Sequence, residues 1–383
     1  MYSDKIKYVG CDDADLDLFE SQYDLPEGMC YNSYLLFADK IAVMDAVDPR
    51  KQQEWLTHLA LSLDGRKPDY LVVHHMEPDH SGSMNAFLET YPETVVVASK
   101  QAFQLMNQFG ICAANTLVIK EGDELPLGGL TLRFIAAPMI HWPEVMMTYV
   151  PEEKTLFSAD AFGKFGVYNA DADDWACEAR RYYFNICGKY GQAVTKVMEK
   201  AAKLDIQTIA PLHGPVLDGD KLADAIRLYN IWCRYDVETE GILVAYASIH
   251  GNTRHAAETL AQMLRQRGCP KVAITDLTRD DMAEAIEDAF RMNKMVLCCA
   301  TYDMDIFPPM HLFLHELGQK LYQKRTVGIL ENGSWAPQAA RVIKTSLQSM
   351  KDITIVEPIV SIKSSLHDSD LPALEALADA MMQ

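Results

Sequence analysis

The chain has 383 residues, enough for two domains with separate cores. Its formal net charge of -19 argues against nucleic acid and against an anionic membrane surface, both of which attract basic footprints. Nine scattered cysteines, an odd number without paired C-x-x-C spacing, exclude a disulfide framework and a zinc ribbon.

The start, Met1 to Lys5, carries no apolar leader, and no run of ~20 apolar residues suggests a membrane span, so a cytoplasmic protein is expected. Tyr34 to Asp45 reads as one half-buried strand. Gln52 to Leu63 reads as a helix with Trp55, Leu56, Leu59 and Leu63 on one face. Short apolar strands follow at Tyr70–Val73, Val95–Val97 and Leu117–Ile119. Gly128-Gly129 marks a turn, after which Leu130, Leu132 and Phe134 alternate with polar residues. Thr155–Phe157 and Ile206–Ala210 are further strands, and Asp220 to Arg234 reads as a helix that closes this part.

The rhythm changes near Gly241. Strands Ile242–Tyr246, Val272–Asp276, Met295–Cys299, Thr326–Leu330 and Thr354–Val356 alternate with stretches long enough for helices. That alternation predicts a doubly wound parallel sheet. A boundary is expected in the acidic stretch 236–240, giving domains 1–240 and 241–383. Cys298 and Cys299 end an apolar run and read as strand packing.

Metal chemistry is signalled at His75-Met76-Glu77-Pro78-Asp79-His80, directly after a buried strand. Four potential ligands lie within six residues, and Pro78 stiffens the loop. His141, Asp160 and His213 each follow a strand, where a layered fold can gather them on one edge. Singly they have plainer readings: a hydrogen-bonding histidine, or an aspartate in a turn. The order is that of the metallo-β-lactamase fold, except that Glu77 stands where the second histidine of H-x-H-x-D-H would be. A carboxylate-richer oxygen and nitrogen shell suits iron, whereas zinc favours imidazole and thiolate.

The pattern H-x-E-x-D-H with downstream His, Asp and His resembles the flavodiiron proteins. The resemblance implies two non-haem irons, one held by His75, Glu77 and His141, the other by Asp79, His80 and His213, with Asp160 bridging. His74 is out of register and is expected to support the site rather than ligate. Tyr31, Tyr34, Trp142 and Met146 lie near these motifs without a role that residue type alone assigns.

A second constellation follows Ile242–Tyr246. Ser248, Ile249, His250, Gly251, Asn252 and Thr253 lead into a helix, placing hydroxyls and backbone N–H groups where a phosphate would bind. An ordinary capped helix start is the alternative. Ala300, Thr301, Tyr302 and Asp303 follow the third strand, and Asn332, Gly333, Ser334 and Trp335 follow the fourth. Both loops combine an aromatic with small polar groups, as an isoalloxazine ring requires. Together the loops resemble the flavodoxin module of flavodiiron proteins and imply FMN. The middle loop lacks the Pro-Thr…Asn of that module. The last has Glu331-Asn332-Gly333 in place of Gly-Ser-Tyr.

The resemblance spans nearly the whole chain. It implies a metallo-β-lactamase-like αββα sandwich followed by a flavodoxin-like doubly wound sheet. It also implies reduction of O2 to water or of NO to N2O, a head-to-tail homodimer or homotetramer, and a separate electron donor such as rubredoxin. The competing readings are a dinuclear hydrolase of the metallo-β-lactamase fold, and a flavin carrier or gas sensor without turnover. Glu77 and the flavin loops speak against the first. The seven complete ligand positions speak against the second.

Overall fold

A computed structural model describes residues 4–170 and 174–383. The chain divides into two compact units, Met1–Cys233 and Arg234–Gln383. The division falls before the acidic stretch rather than within it. The buried guanidinium of Arg325 accounts for this, because it donates to the carbonyls of Tyr235 and Asp236 and so holds that segment in the second unit. Among the described residues no helix is long and apolar enough to cross a membrane.

The first unit is built on two six-stranded mixed sheets. One runs Ile6–Tyr8, Tyr34–Phe37, Ile41–Met44, Tyr70–Val72, Val95–Ser99, Asn115–Ile119. The other runs Glu124–Pro126, Thr131–Ala136, Met146–Val150, Thr155–Phe157, Thr208–Ala210, Leu217–Asp218. Leu36, Met44, Val72 and Val97 from the first meet Leu132, Phe134, Met146 and Phe157 from the second in one buried core. Trp55, Leu59 and Leu63 of helix Gln52–Leu63 are buried, while Leu56 is half-buried.

The single strand expected over 34–45 is instead an antiparallel pair, Tyr34–Phe37 and Ile41–Met44, joined by a tight turn in which Ala38 N–H donates to the Lys40 carbonyl. Alternation was the wrong template here. Tyr34, Leu35, Leu36, Ala42, Val43 and Met44 are all buried, because both faces of this sheet are covered. Strand Met146–Val150 and helices Trp175–Tyr182 and Gly191–Ala201 were not anticipated.

Topology positions the site. Thr131–Ala136 and Thr155–Phe157 both pair antiparallel with Met146–Val150, and Thr155–Phe157 pairs parallel with Thr208–Ala210. These three strands therefore run the same way. Their carboxyl ends lead to His141, Asp160 and His213 respectively.

The second unit is a parallel sheet in the order Val272–Asp276, Thr239–Ala247, Met292–Tyr302, Arg325–Asn332, with Ile353–Ile355 and Val360–Ile362 both on the last. This is the expected doubly wound arrangement. Ala256, Leu260 and Leu264 of helix Asn252–Gln266 and Leu374, Leu377 and Met381 of helix Leu371–Met382 pack with Val244, Val296 and Leu330. The chain reverses its direction of winding between strands Thr239–Ala247 and Met292–Tyr302. In such sheets that is where the loops part and leave a crevice.

Candidate metal centre and flavin cavity

The strand Tyr70–Val72 delivers the loop that carries His75 and Glu77, and a one-turn helix, Pro78–Ser81, carries Asp79 and His80. Pro78 occupies the first helical turn, where its missing N–H costs nothing. His75, His80 and His213 are fully buried, Asp160 nearly so, and Asp79 mostly. Glu77 and His141 keep 14% and 10% side-chain exposure, so they mark the open side of the cluster.

All seven residues singled out in the sequence come together, in two groups. His75, Glu77, His141 and Asp160 place ligand atoms within 4.8 Å of one another, and so do Asp79, His80 and His213. In the first group, Glu77 Oε2 lies 2.9 Å from His141 Nε2 and 3.2 Å from His75 Nε2. Asp160 Oδ2 lies 3.3 Å from each of those nitrogens. In the second, His80 Nε2 and His213 Nε2 are 3.1 Å apart, and each is 3.3 Å from Asp79 Oδ2. Asp160 Oδ1 faces this second group, 3.3 Å from His80 Nε2 and 3.9 Å from His213 Nε2. The two oxygens of one carboxylate thus face two different donor sets.

The electrostatics call for cations. Both oxygens of Asp79 and both of Asp160 are buried and accept no hydrogen bond. An ionised carboxylate left so costs several kcal/mol. Burial alone would raise the Asp160 carboxyl, but the imidazoles of His75, His141 and His80 hold it well below the usual carboxylate range. Burial likewise would lower His141, yet Asp160 and Glu77 push it up to about 9. Without metal, protons on the imidazoles must do the neutralising. Nitrogen and oxygen donors about 3 Å apart are the edges of a coordination polyhedron with bonds of about 2.0–2.2 Å. The residues present therefore fit two metal ions.

Supporting groups orient the imidazoles. His75 Nδ1–H donates to Glu144 Oε1 at 2.8 Å, which leaves Nε2 to face the cluster. The same oxygen accepts from Met76 N–H at 2.9 Å, and the Glu144 carbonyl accepts from Ser99 Oγ–H. Sequence reasoning missed Glu144. The signal was a lone acid in the otherwise apolar run Trp142-Pro143-Glu144-Val145-Met146. His213 Nδ1–H donates to the Cys30 carbonyl at 2.7 Å, a contact without side-chain signature. His74 pairs with the Asp45 carboxylate through Nδ1 and with Thr148 Oγ1 through Nε2, so it braces the loop from behind. Of the four neighbours without an assigned role, Trp142 packs its ring on His75 and Tyr31 on His213. Tyr34 O–H donates to the Pro211 carbonyl, and Met146 N–H to that of His74. Phe19 and Tyr182 complete an aromatic wall against His213.

In the second unit, a cavity of about 590 Å³ opens among the three loops. Every residue singled out in those loops lines it except Gly251, which shapes the turn behind it. Met304 and Ala336, the next residues along two of those loops, line it too, as does Ser364, which was not foreseen. Gly251 has φ +88° and donates its N–H to Ser248 Oγ. Helix Asn252–Gln266 starts there without a side-chain cap, and Asn252 and Thr253 of its first turn line the cavity. Asn332 Nδ2–H donates to Thr253 Oγ1 and to the Ser364 carbonyl, while its buried Oδ1 has no partner. Tyr302 and Trp335 flank the opening, Trp335 being 89% exposed. An uncapped helix start, an unpaired amide oxygen, exposed aromatics and this volume fit a phosphorylated flat ring. Thr301 differs from expectation in one respect. Its hydroxyl accepts from Gln338 and Ala339 N–H and so caps helix Ala339–Gln348.

Residues 29–214 match the family described as ODP family beta lactamase. A nitric oxide reductase of Moorella thermoacetica is 31% identical over 367 residues, covering 93% of this chain and 91% of that protein. The flavodiiron protein of Giardia intestinalis has the same fold at TM-score 0.90 and 25% identity, over 99% of this chain and 94% of that one. This chain belongs to the flavodiiron family. An anaerobic nitric oxide reductase flavorubredoxin of Escherichia coli is 29% identical over 356 residues, 90% of this flavodiiron chain and 74% of that protein. The rubredoxin:oxygen oxidoreductase of Desulfovibrio gigas shares the fold at TM-score 0.92 and 24% identity, with 100% and 97% of the two chains covered.

Proposed function

We propose that this flavodiiron protein is an oxidoreductase that reduces O2 to water, NO to N2O, or both. The observation that carries the reading is Asp160, whose two oxygens face two separate His/carboxylate donor sets. His75, Glu77 and His141 would hold one iron, Asp79, His80 and His213 the other, and Asp160 would bridge them. Ser248 to Thr253, Ala300 to Asp303 and Asn332 to Trp335 would hold FMN. When bound, the irons supply binding and reduction of a diatomic gas, and FMN supplies the electrons.

The chain's own contribution is positioning, charge and exclusion of water. Glu144 and the Cys30 carbonyl fix the tautomers of His75 and His213, so that Nε2 of each faces the cluster. The carboxylates neutralise cationic charge in a buried setting where each contact is worth more than in water. Substrate enters beside Glu77 and His141, the two ligands left partly open. The rings of Phe19, Tyr31, Tyr182 and Trp142 keep bulk water from the imidazoles they cover. Burial holds the Tyr182 hydroxyl well above the ordinary phenol range, so it stays protonated and able to donate a hydrogen bond.

The donor is a small redox protein such as rubredoxin, and the protein works in the cytoplasm as a head-to-tail homodimer or homotetramer. The exposed apolar side chains Ile249, Tyr302, Met304 and Trp335 around the flavin cavity support docking there. The test is anaerobic reduction of the iron- and FMN-loaded protein with reduced rubredoxin, followed by each gas separately. Catalytic O2 consumption or N2O formation is expected. Reoxidation limited to one flavin equivalent would leave a carrier, and two zinc ions with hydrolytic turnover would leave a hydrolase.

A further inference from the structure

A second cluster of ligating side chains lies outside the catalytic one, in the first unit. Cys11 opens the short strand Cys11–Asp13, and Glu54 and His58 stand four residues apart on helix Gln52–Leu63. That spacing puts the carboxylate and the imidazole on the same helix face. Cys11 Sγ, His58 Nδ1 and a Glu54 oxygen lie within 4.8 Å of one another. We propose that Cys11, Glu54 and His58 form a further cation site, suited to a zinc-like divalent ion and separate from the catalytic centre.

The geometry is close to what such an ion needs. With Zn–S of about 2.3 Å and Zn–N of about 2.0–2.1 Å, tetrahedral ligands place sulfur and nitrogen about 3.6 Å apart. Cys11 Sγ and His58 Nδ1 are 3.8 Å apart. The Gly10 carbonyl oxygen, 3.0 Å from the same nitrogen, offers a fourth donor. Gly10 itself packs tightly against strand Met29–Tyr31, where a Cβ would meet the Tyr31 carbonyl at 2.4 Å. Charge also balances: a thiolate and a carboxylate neutralise a dication, with neutral imidazole and carbonyl completing the set. Binding displaces the Cys11 thiol proton and the His58 Nδ1 proton, the latter moving to Nε2 by way of solvent, so that one proton is released.

The surroundings permit it. Cys11 is buried, whereas the Glu54 side chain is 45% exposed, so an ion can enter from solvent. Lys51 Nζ holds Glu54 at 3.4 Å but has Asp13 at 4.0 Å as a second anion once Glu54 turns to a metal. In the metal-free state burial, and next the Glu54 charge, push the Cys11 thiol up to about 12, both of which a cation would reverse. A filled site would clamp strand Cys11–Asp13 to helix Gln52–Leu63.

The test uses the iron- and FMN-loaded protein, exposed to one equivalent of zinc and then desalted. Elemental analysis counts retained zinc, and X-ray absorption at the zinc edge reads its neighbours. One zinc per chain with a sulfur neighbour at about 2.3 Å is expected. Cys11→Ser should remove the sulfur signal. His58→Gln, a substitution at a half-buried helix position whose fold is checked by circular dichroism, should weaken zinc binding at least about tenfold. No retained zinc overturns the proposal. So does zinc with nitrogen and oxygen neighbours alone, or a sulfur signal unchanged in Cys11→Ser. These outcomes are independent of gas reduction, because the catalytic donor set contains no sulfur.

Discussion

The metal centre and the flavin cavity achieve binding by opposite means. At the metal centre, seven side chains converge from one loop, the one-turn helix that follows it and three strand ends, and five of the seven are buried. The carboxylates of Asp79 and Asp160 accept no hydrogen bonds and are unfavourable until cations arrive. The flavin cavity is shaped largely by backbone: a glycine turn, an uncapped helix start and two strand-end loops. Its aromatic residues stand in solvent, Trp335 most of all. The first site therefore depends on individual side-chain charges and tolerates little. The second depends on backbone conformation and spreads its contacts over many residues.

This contrast can be broken most sharply at Asp160. Asp160→Asn keeps the shape but removes the charge shared by both donor groups. Iron content should fall from two per chain to one or none, and gas reduction by on the order of 100-fold or more, beyond the loss seen when only an outer partner is removed. FMN content should not change. Iron assay, flavin absorbance and turnover on one preparation decide it. Full iron occupancy with full activity would show that one shared carboxylate does not hold the two groups together.

A smaller effect is expected one step out. Glu144→Gln retains an acceptor for Met76 and His75 but removes the negative charge behind the imidazole. Iron affinity should fall about 10–100-fold, measured by competition with a chelator. Unchanged affinity would reduce Glu144 to a loop brace and weaken the claim that this site is controlled by charge.

The same contrast explains what could be read from the sequence. His75, Glu77, Asp79 and His80 are legible because a short loop holds them in a fixed order. His141, Asp160 and His213 are legible because each ends a strand, and strands running the same way bring their ends together. Glu144 was harder, since its role depends on a contact with a residue 69 positions away. Cys30 was beyond reach, because it acts on His213 through a carbonyl that every residue possesses. The flavin loops were located from the alternation of strands and helices. The use of Thr301 was not, because helix Ala339–Gln348 begins after Gln338 with no capping side chain of its own and borrows a hydroxyl from a neighbouring strand end. The pair Tyr34–Phe37 and Ile41–Met44 was merged because the turn Ala38-Asp39-Lys40 has neither Gly nor Pro to mark it.

The smallest expected effect probes the backbone side of the comparison. Gly251 has φ +88°, and a Cβ there would meet no atom within 4 Å. Gly251→Ala therefore tests conformation alone. Holding alanine in the left-handed region costs about 1–2 kcal/mol. If the loop must keep that conformation to present its N–H groups, FMN affinity should fall roughly tenfold, since 1.4 kcal/mol corresponds to a factor of ten. Fluorescence quenching during FMN titration of the flavin-free protein measures it. Iron content should be unaffected, as Gly251 belongs to the other unit. An FMN affinity equal to that of the parent chain would mean that the turn relaxes without loss. The cavity would then be held by its side chains, as the metal centre is, and the distinction between the two regions would fail.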